Sequence, residues 1–309
     1  MKPALTLLPI LLGATALAGP AAAQTYTIGF SQGTMESSWR VNMVEGNRLY
    51  AEQNLPDVEL IITNGENNAS KQVSDVESLL AQGVDVLVLS PVTADALTPV
   101  VKQAMDAGVP VLTLDRGVNT TVTAHIGADN KLIGRTAGEY VCSVLGGEGN
   151  VIEIQGTAGA SATIDRHDEF HAVLAEQCPG VQVVADQVAN YVREPAIKFM
   201  EDMLQRFGPG EIDLVYAHND DMALGAVTAL EAAGRQDEVM VVGIDGEEAA
   251  YQAIDEGRMV ATFTYHFVAP EGIQYAYRVA QGEELPSEII LPTHQVTKEN
   301  VAEFLGTGF

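Results

Sequence analysis

The chain has 309 residues, 47% of them hydrophobic and 19% charged, and a formal net charge of −26. This is globular composition with room for two domains of about 100–150 residues each. The charge argues against nucleic acid and other polyanions, because nothing balances phosphate repulsion; it is spread along the chain, as on a solvated acidic surface, rather than gathered in a tail.

The first two dozen residues differ from the rest. Lys2 gives a positive start, Ala4 to Leu17 is an apolar run with small residues, and Ala21-Ala22-Ala23 fits a small-residue cleavage site. The pattern is that of a secretory signal peptide (1–23), cleaved near Ala23–Gln24. A retained anchor is the alternative, but the run is shorter than the roughly 20 residues needed to span and Pro9 interrupts it. No Cys lies near the cleavage site to carry a lipid, and no later segment is long and apolar enough to span. The mature product is expected to be soluble and exported. Cys142 and Cys178 are the only cysteines. Export permits a disulfide, and their apolar helix contexts suit free thiols equally well, so pairing stays open.

Tyr26–Ser31 reads as the first strand, and a loop then leads to a helix over Trp39–Gln53 with apolar positions Val41, Val44, Leu49 and Tyr50. Strand Val58–Ile62, helix Ser70–Gln82, buried strand Val84–Leu89, helix Leu97–Ala107 and the strand from Val109 to Leu112 follow. The spacing of about 25–30 residues per β-α unit implies a parallel sheet with right-handed crossovers. After His125-Ile126-Gly127 the rhythm restarts, with a lead-in helix over Leu132–Leu145. Strands are then predicted at Val151–Gln155, Val181–Asp186, Leu214–His218, Val239–Gly243 and Val260–Tyr265. The helices between them are Ile164–Gln177, Glu194–Phe207, Met222–Ala233 and Glu247–Glu256. Helix Glu271–Gln281 and a short strand near Ile289–Leu291 end the pattern. Two similar α/β halves result, joined by crossings near Ala128, His266 and Pro292. Three strands through one waist make a hinge that supports closure around a ligand.

In open α/β sheets, ligands sit beyond the carboxyl ends of the strands, and that is where candidates collect. Asp115 and Arg116 end the fourth strand: a carboxylate that accepts beside a guanidinium that donates in a fixed fork, which together suit hydroxyl groups. Ser90 ends the third strand. Trp39, the only Trp, and Arg40 open the first helix; a flat aromatic covers the apolar face of a sugar ring, and a core Trp is the plainer alternative. Arg166 opens a helix, Asn219 follows Ala217-His218, and Asp245 follows Gly243-Ile244. Each also has an ordinary reading: Asn, Asp and Ser cap helices. Caps explain the three arginines poorly, because a cation is disfavoured at a helix N-terminus.

Jointly, Ile28-Gly29-Phe30-Ser31, Leu114-Asp115-Arg116, Gln155-Gly156 through Asp165-Arg166, Ala217-His218-Asn219-Asp220-Asp221-Met222 and Gly243-Ile244-Asp245-Gly246 resemble the periplasmic sugar-binding proteins of ABC importers, of the D-ribose-binding type. The resemblance covers Tyr26 to Phe309. Within it, Glu36-Ser37-Ser38-Trp39-Arg40, Glu153-Ile154-Gln155-Gly156-Thr157 and Val215-Tyr216-Ala217-His218 look most like the galactofuranose-binding branch. The resemblance implies the type I periplasmic binding protein fold, two doubly wound parallel-sheet lobes on a three-strand hinge. The lobes would be 24–127 with 267–291, and 128–266 with 292–309. It implies a monomer in the periplasm that serves an ABC permease, with no catalysis, cofactor or metal. Carried over by position, the ligand contacts would be Ser37, Trp39, Arg40, Ser90, Asp115 and Arg116 from the first lobe. The second lobe would give Arg166, Tyr191, Asn219 and Asp245, with Tyr265 at the hinge. Ribose binders carry two stacked Phe where this chain has Trp39-Arg40, an amide in place of Ser90 and Gln in place of Tyr265. These departures leave open a furanose, a branched pentose, a polyol or a sugar acid.

Three other classes are weighed against this. A nucleotide-dependent oxidoreductase would need G-x-G-x-x-G after a strand, and a hydrolase of the Ser-elbow type G-x-S-x-G; neither is present. Asp115 with Asp245 would serve glycoside cleavage only as a chemical possibility. His167 and His171, four apart on a helix, have metal-pair spacing without an H-E-x-x-H pattern, and a plain helix face is the expectation. The effector domain of a sugar-responsive repressor shares the fold, but a signal peptide stands where the DNA-binding helices would be. A sensor reporting to a membrane receptor is not separable from import.

Overall fold

The structure, a computed structural model, describes residues 25–309; the signal-peptide reading lies outside the described residues. The first half runs β1 (Tyr26–Gln32), α1 (Ser38–Asn54), β2 (Val58–Asn64), α2 (Ala69–Ala81), β3 (Val86–Ser90), α3 (Ala94–Asp106), β4 (Val111–Leu114) and β5 (Ala124–Ala128). The second runs α4 (Asn130–Val144), β6 (Glu148–Gln155), α5 (Ser161–Gln177), β7 (Gly180–Val188), α6 (Arg193–Arg206), β8 (Leu214–Ala217), α7 (Asp220–Ala233), β9 (Met240–Val242), α8 (Glu248–Asp255) and β10 (Ala261–Phe263). The chain ends with α9 (Glu271–Ala280), β11 (Glu288–Leu291), β12 (Gln295–Thr297) and one 3₁₀ turn, Val301–Glu303.

Two six-stranded sheets result, ordered β11-β5-β4-β3-β1-β2 and β12-β10-β9-β8-β6-β7. Every pairing is parallel except β10 with β12. Helices cover both faces, which is why the central strands read as unbroken apolar runs; every residue of β3, Val-Leu-Val-Leu-Ser, is buried. The chain crosses between sheets three times: from β5 to α4, from β10 to α9 and from β11 to β12. The last two crossings are bonded together, Thr264 N to His294 O at 2.9 Å and His294 N to Thr264 Oγ1 at 2.8 Å. This is the two-lobed, doubly wound architecture expected from the alternating pattern.

Two expectations need correction. The buried face of α1 is Trp39, Arg40, Met43, Val44, Asn47 and Ala51, while Val41 and Leu49 are exposed. Asn47 is the reason. Its amide donates to Met43 O and Val268 O and accepts from Ile273 N, clasping the second crossing to α9, so a polar residue holds a core position and the apolar period slips. The short strand β12 was not foreseen, since Gln-Val-Thr carries no apolar run.

The cysteines pair: Cys142 on α4 is bonded to Cys178, the residue that ends α5. These two helices lie unusually close, because Gly134 and Gly138 of α4 face the backbone of Arg166 and the side chain of Val173 on α5.

Candidate functional site

The carboxyl ends of both sheets face one tight, partly open cleft with a cavity volume of about 20 Å³, well below the roughly 300–1,000 Å³ of small-molecule sites. The lobes touch across its rim, with Gly117 N donating to Ser161 Oγ at 2.8 Å and Ala94 N donating to Gly159 O at 3.0 Å. The conformation is closed. Nine of the residues singled out from sequence reach the wall: Ser37, Trp39, Arg40, Asp115, Arg166, Tyr191, Asn219, Asp245 and Tyr265; Ala162 is the additional one. Ser90 and Arg116 do not line it.

On the first-lobe side, Asp115 is 1% exposed and held from two directions. Arg40 Nη1 donates to Asp115 Oδ2, and Tyr265 Oη donates to Asp115 Oδ1 at 2.5 Å. Burial pushes the carboxyl up, but the charges of Arg40 and Arg116 and the tyrosine bond outweigh it and hold Asp115 below its ordinary pKa. Ser90 stands behind this pair, its Oγ accepting from Arg40 Nη1 at 3.2 Å. Ser37 caps α1 by accepting from Arg40 N at 3.4 Å. Trp39 is packed in the core at 4% exposure with one edge on the cavity; its Nε1 donates to Tyr265 O at 3.0 Å, and Arg40 stacks over its ring. The core and ligand readings of Trp39 are therefore compatible.

Arg116 is wholly buried and bonds the carbonyls of Val92 at 3.1 Å and Pro91 at 3.3 Å. Its guanidinium lies over the Tyr191 ring of the other lobe, its Nε makes no hydrogen bond but lies 3.8 Å from Asp115 Oδ2, and burial together with Arg40 pushes its pKa down to about 10.

On the second-lobe side, Arg166 Nε donates to Asn130 Oδ1 at 2.8 Å, Arg166 Nη1 donates to His218 O, and the guanidinium lies over the Tyr265 ring. Asn130 Nδ2 in turn donates to Tyr265 Oη at 3.0 Å. A chain of bonds thus runs from Asp115 through Tyr265 and Asn130 to Arg166, spanning both lobes at the hinge. Asn219 is both cap and wall: its Oδ1 accepts from Met222 N at 3.0 Å while its Nδ2 reaches Tyr191 O at 3.4 Å. Tyr191 lies over Gly156, where an added Cβ would fall 2.0 Å from the ring, and its hydroxyl bonds Thr163 Oγ1 at 2.8 Å.

Asp245 stands apart. It is buried, and among the described residues its carboxylate has no hydrogen-bond donor within reach, although its neighbour Asp220 takes Gly246 N, Glu247 N and Thr262 Oγ1. Burial pushes its pKa well above the ordinary value, against the pull of Arg166 and with the repulsion of Asp220 and Glu247 added. Asp115, Tyr191 and Asp245 all hold positive φ, at 62°, 64° and 140°. Side-chain-bearing residues rarely adopt such backbones, and they persist where surrounding structure enforces them, often at binding sites.

Sequence reasoning missed Asn130, Thr163 and Ala162. Asn130 had one faint signal, a second short polar side chain directly after Asp129, which already caps the helix by accepting from Leu132 N.

A model of the periplasmic binding protein domain matches residues 28–284. The chain belongs to that family. It is 36% identical over 296 residues to the xylitol-binding protein of Mycolicibacterium smegmatis, covering 94% of this chain and 83% of the relative. It is 32% identical over 298 residues to the ribose import binding protein of Escherichia coli, covering 94% and 98%. Among solved structures, a galactofuranose-binding protein superposes with a TM-score of 0.83 at 30% identity, over 91% of this chain and 97% of that one. The fructose-binding periplasmic domain of a hybrid two-component system gives 0.84 at 33% identity, over 91% and 93%. These are binding proteins, and this chain is a member of a binding-protein family rather than an enzyme. Among the described residues no helix is long and apolar enough to cross a membrane.

Proposed function

We propose that the protein captures one small neutral polyhydroxylated molecule, a furanose or a polyol, between its lobes and presents the closed form to an ABC import permease from the periplasm. The observation that carries this reading is the set of acceptors and donors that meet at one wall: Asp115 and Asp245 just beyond strand ends, Arg40 in the first turn of α1 and Arg166 in the second turn of α5. A neutral ligand gives each group a hydroxyl. Asp245 accepts; Arg40, Arg166 and Asn219 Nδ2 donate; Trp39, Tyr191 and Tyr265 cover the ring's apolar edges. Ser90 and Arg116 act one layer back, by setting Arg40 and Tyr191.

Ring hydroxyls lose water on entry and each must find a partner. A wall built to bond them rejects analogues that lack one, since its own polar groups would be left unpaired. Ligand favours the closed state by its differential affinity, and closure is what a permease reads. The lobe boundaries we take are 24–127 with 267–291, and 128–266 with 292–309; the membership of β11 in the first sheet and of β10 and β12 in the second supports them. The names of the relatives, which bind xylitol, ribose and galactofuranose, support the ligand class.

The test is a thermal-shift screen of the purified protein against pentoses, hexoses, polyols and sugar acids, followed by calorimetry. A ligand that binds only the folded state raises Tm. The reading requires a neutral furanose or polyol to bind one to one and to be recovered unchanged; silence across the neutral panel, a preference for sugar acids, or turnover would each overturn it. A second reading has one observation in its favour, the similarity to a periplasmic sensor domain: the closed lobes report to a membrane receptor. Pulldown of a receptor rather than a permease with ligand-loaded protein would select it.

A further inference from the structure

Behind the second-lobe wall lies a cluster that sugar capture does not use. Glu153 of β6 is completely buried, and three imidazoles converge on its carboxylate: His218 Nε2, His167 Nδ1 and His171 Nε2, each at 2.9 Å. His218 is fully accounted for without a ligand. Its Nδ1 accepts from Gly156 N at 3.5 Å, so its Nε2 carries the proton donated to Glu153. His167 and His171 are different. They stand one helical turn apart on α5 with rings 4.2 Å apart, and their side chains are 37% and 39% exposed. The face expected from sequence to be plain surface is instead turned onto a buried carboxylate, with solvent access from outside.

We propose that Glu153, His167 and His171 form a zinc site, a two-histidine, one-carboxylate set with its fourth position open to water. The three donor atoms lie within 4.8 Å of one another. Tetrahedral zinc with bonds of 2.0–2.1 Å spaces its donors about 3.3 Å apart. The present contacts of 2.9 Å between nitrogen and carboxylate oxygen must therefore open by about 0.4 Å, the two imidazole nitrogens, which lie within 4.8 Å of each other, must settle at the same spacing, and the Gln155 amide, 3.3 Å from both Glu153 Oε2 and His167 Nδ1, must swing aside; the two half-exposed histidines can give this movement. The protons balance. Each neutral imidazole moves its N–H to the other ring nitrogen as Nδ1 of His167 and Nε2 of His171 turn their lone pairs to the ion, Glu153 stays ionised, and no redox partner is needed. His218 remains bonded to Glu153 Oε1 and orients it, the usual outer-shell role. Asp186, the register partner of Glu153 on β7, adds negative charge on the same side of the sheet. Imidazole with carboxylate selects zinc-like ions over magnesium or calcium, which take oxygen donors.

The experiment uses the full exported chain, stripped of metal with a chelator, and ZnCl₂ as the probe. Calorimetry should find one equivalent of zinc bound with micromolar or tighter affinity, no comparable heat from MgCl₂, and a rise in Tm. His167→Ala and His171→Ala should each weaken zinc binding at least about tenfold, while His294→Ala, at an exposed imidazole elsewhere, should leave it unchanged. Both variants keep the His218 bond to Glu153, and their metal-free Tm checks the fold. Independently of any variant, nitrogen NMR of the parent should show zinc moving Nδ1 of His167 and Nε2 of His171. Binding only at millimolar zinc, no change at those two nitrogens, or equal affinity after loss of either histidine would overturn the assignment. No sugar is present, so failure here leaves the sugar reading intact, and the reverse also holds.

Discussion

Replacing Gly134 by Ala tests how the binding wall is set, because this residue touches no ligand. A methyl group there would lie 2.6 Å from Arg166 O and 2.9 Å from Arg166 Cα. These are backbone atoms that cannot rotate away, so α4 and α5 must part by roughly 0.8 Å to regain ordinary contact at 3.4 Å. The Cys142–Cys178 bond pins the far ends of the pair. The opening therefore falls at the near ends, where Arg166 Nε meets Asn130 Oδ1 at 2.8 Å across the same two helices. Binding constellations tolerate about 0.5 Å of displacement. We expect Kd to rise about 10- to 100-fold, or about 1.4–2.8 kcal/mol. Overpacking costs about 1–3 kcal/mol of stability, offset by about 1 kcal/mol from the better helix propensity of Ala, so the net loss should be about 0–2 kcal/mol and Tm should fall by several degrees at most. Gly138→Ala is the control. Its methyl would meet Val173 Cβ at 2.9 Å and Phe170 O at 3.2 Å, away from the cavity, and it should keep parental affinity. Calorimetry with the ligand found by the screen decides. Parental affinity in Gly134→Ala, or equal losses in both variants, would refute the idea that this helix contact sets Arg166.

Asp245→Asn should separate function from stability: replacing a carboxyl whose anion is disfavoured by burial and repelled by Asp220 and Glu247 raises the ligand-free Tm, while affinity falls about 10- to 100-fold for loss of a strong acceptor. A lower ligand-free Tm would show that Asp245 is paired after all. Tyr265→Phe deletes the bonds to both Asp115 and Asn130 and leaves a buried carboxylate short of one donor, at a cost of about 1–3 kcal/mol; calorimetry should show a weaker complex, and unchanged affinity would mean that the hinge chain is not part of closure. Glu247 is pushed up to about 8 by burial and by Asp220 and Asp221. The folded state thus keeps a proton that the unfolded chain releases near 4.5, and its contribution to stability falls as pH rises between those values. Glu247→Gln should accordingly raise Tm at pH 8 and leave it nearly unchanged at pH 5, read by thermal melts at both.

The sheets were legible because burial on both faces writes strands as apolar runs, and because strictly alternating elements admit few topologies. The misreadings follow from features that leave no such trace. In α1 the buried face passes through Arg40 and Asn47, whose side chains find partners at Asp115 and Val268; hydrophobic period assigns those positions to solvent. β12 is three residues long and is defined only by its antiparallel pairing with β10, a contact that Gln-Val-Thr is too short to signal by periodicity. Pairing of Cys142 with Cys178 depends on α4 and α5 lying side by side, a proximity that a sequence separation of 36 does not reveal.

The site shows the same division more sharply. Polar residues at strand ends could be picked out because a doubly wound sheet sends its strand ends to one crevice, so position along the chain stands in for position in space. Even the rival reading as caps dissolves on these terms: in Asn219 one amide oxygen caps α7 and the nitrogen is left for the wall, so a good cap and a wall residue are one side chain used twice. What sequence could not rank was depth. Ser90 and Arg116 look like contacts and lie one layer behind the wall. Gly134 and Gly156 carry no chemistry yet fix where Arg166 and Tyr191 lie. His167 and His171 read as surface until the register of α5 turned them onto Glu153. Depth is set by helix-to-sheet and helix-to-helix spacing at the scale of tenths of an ångström, and that spacing is decided by small residues whose only mark in a sequence is the absence of a side chain.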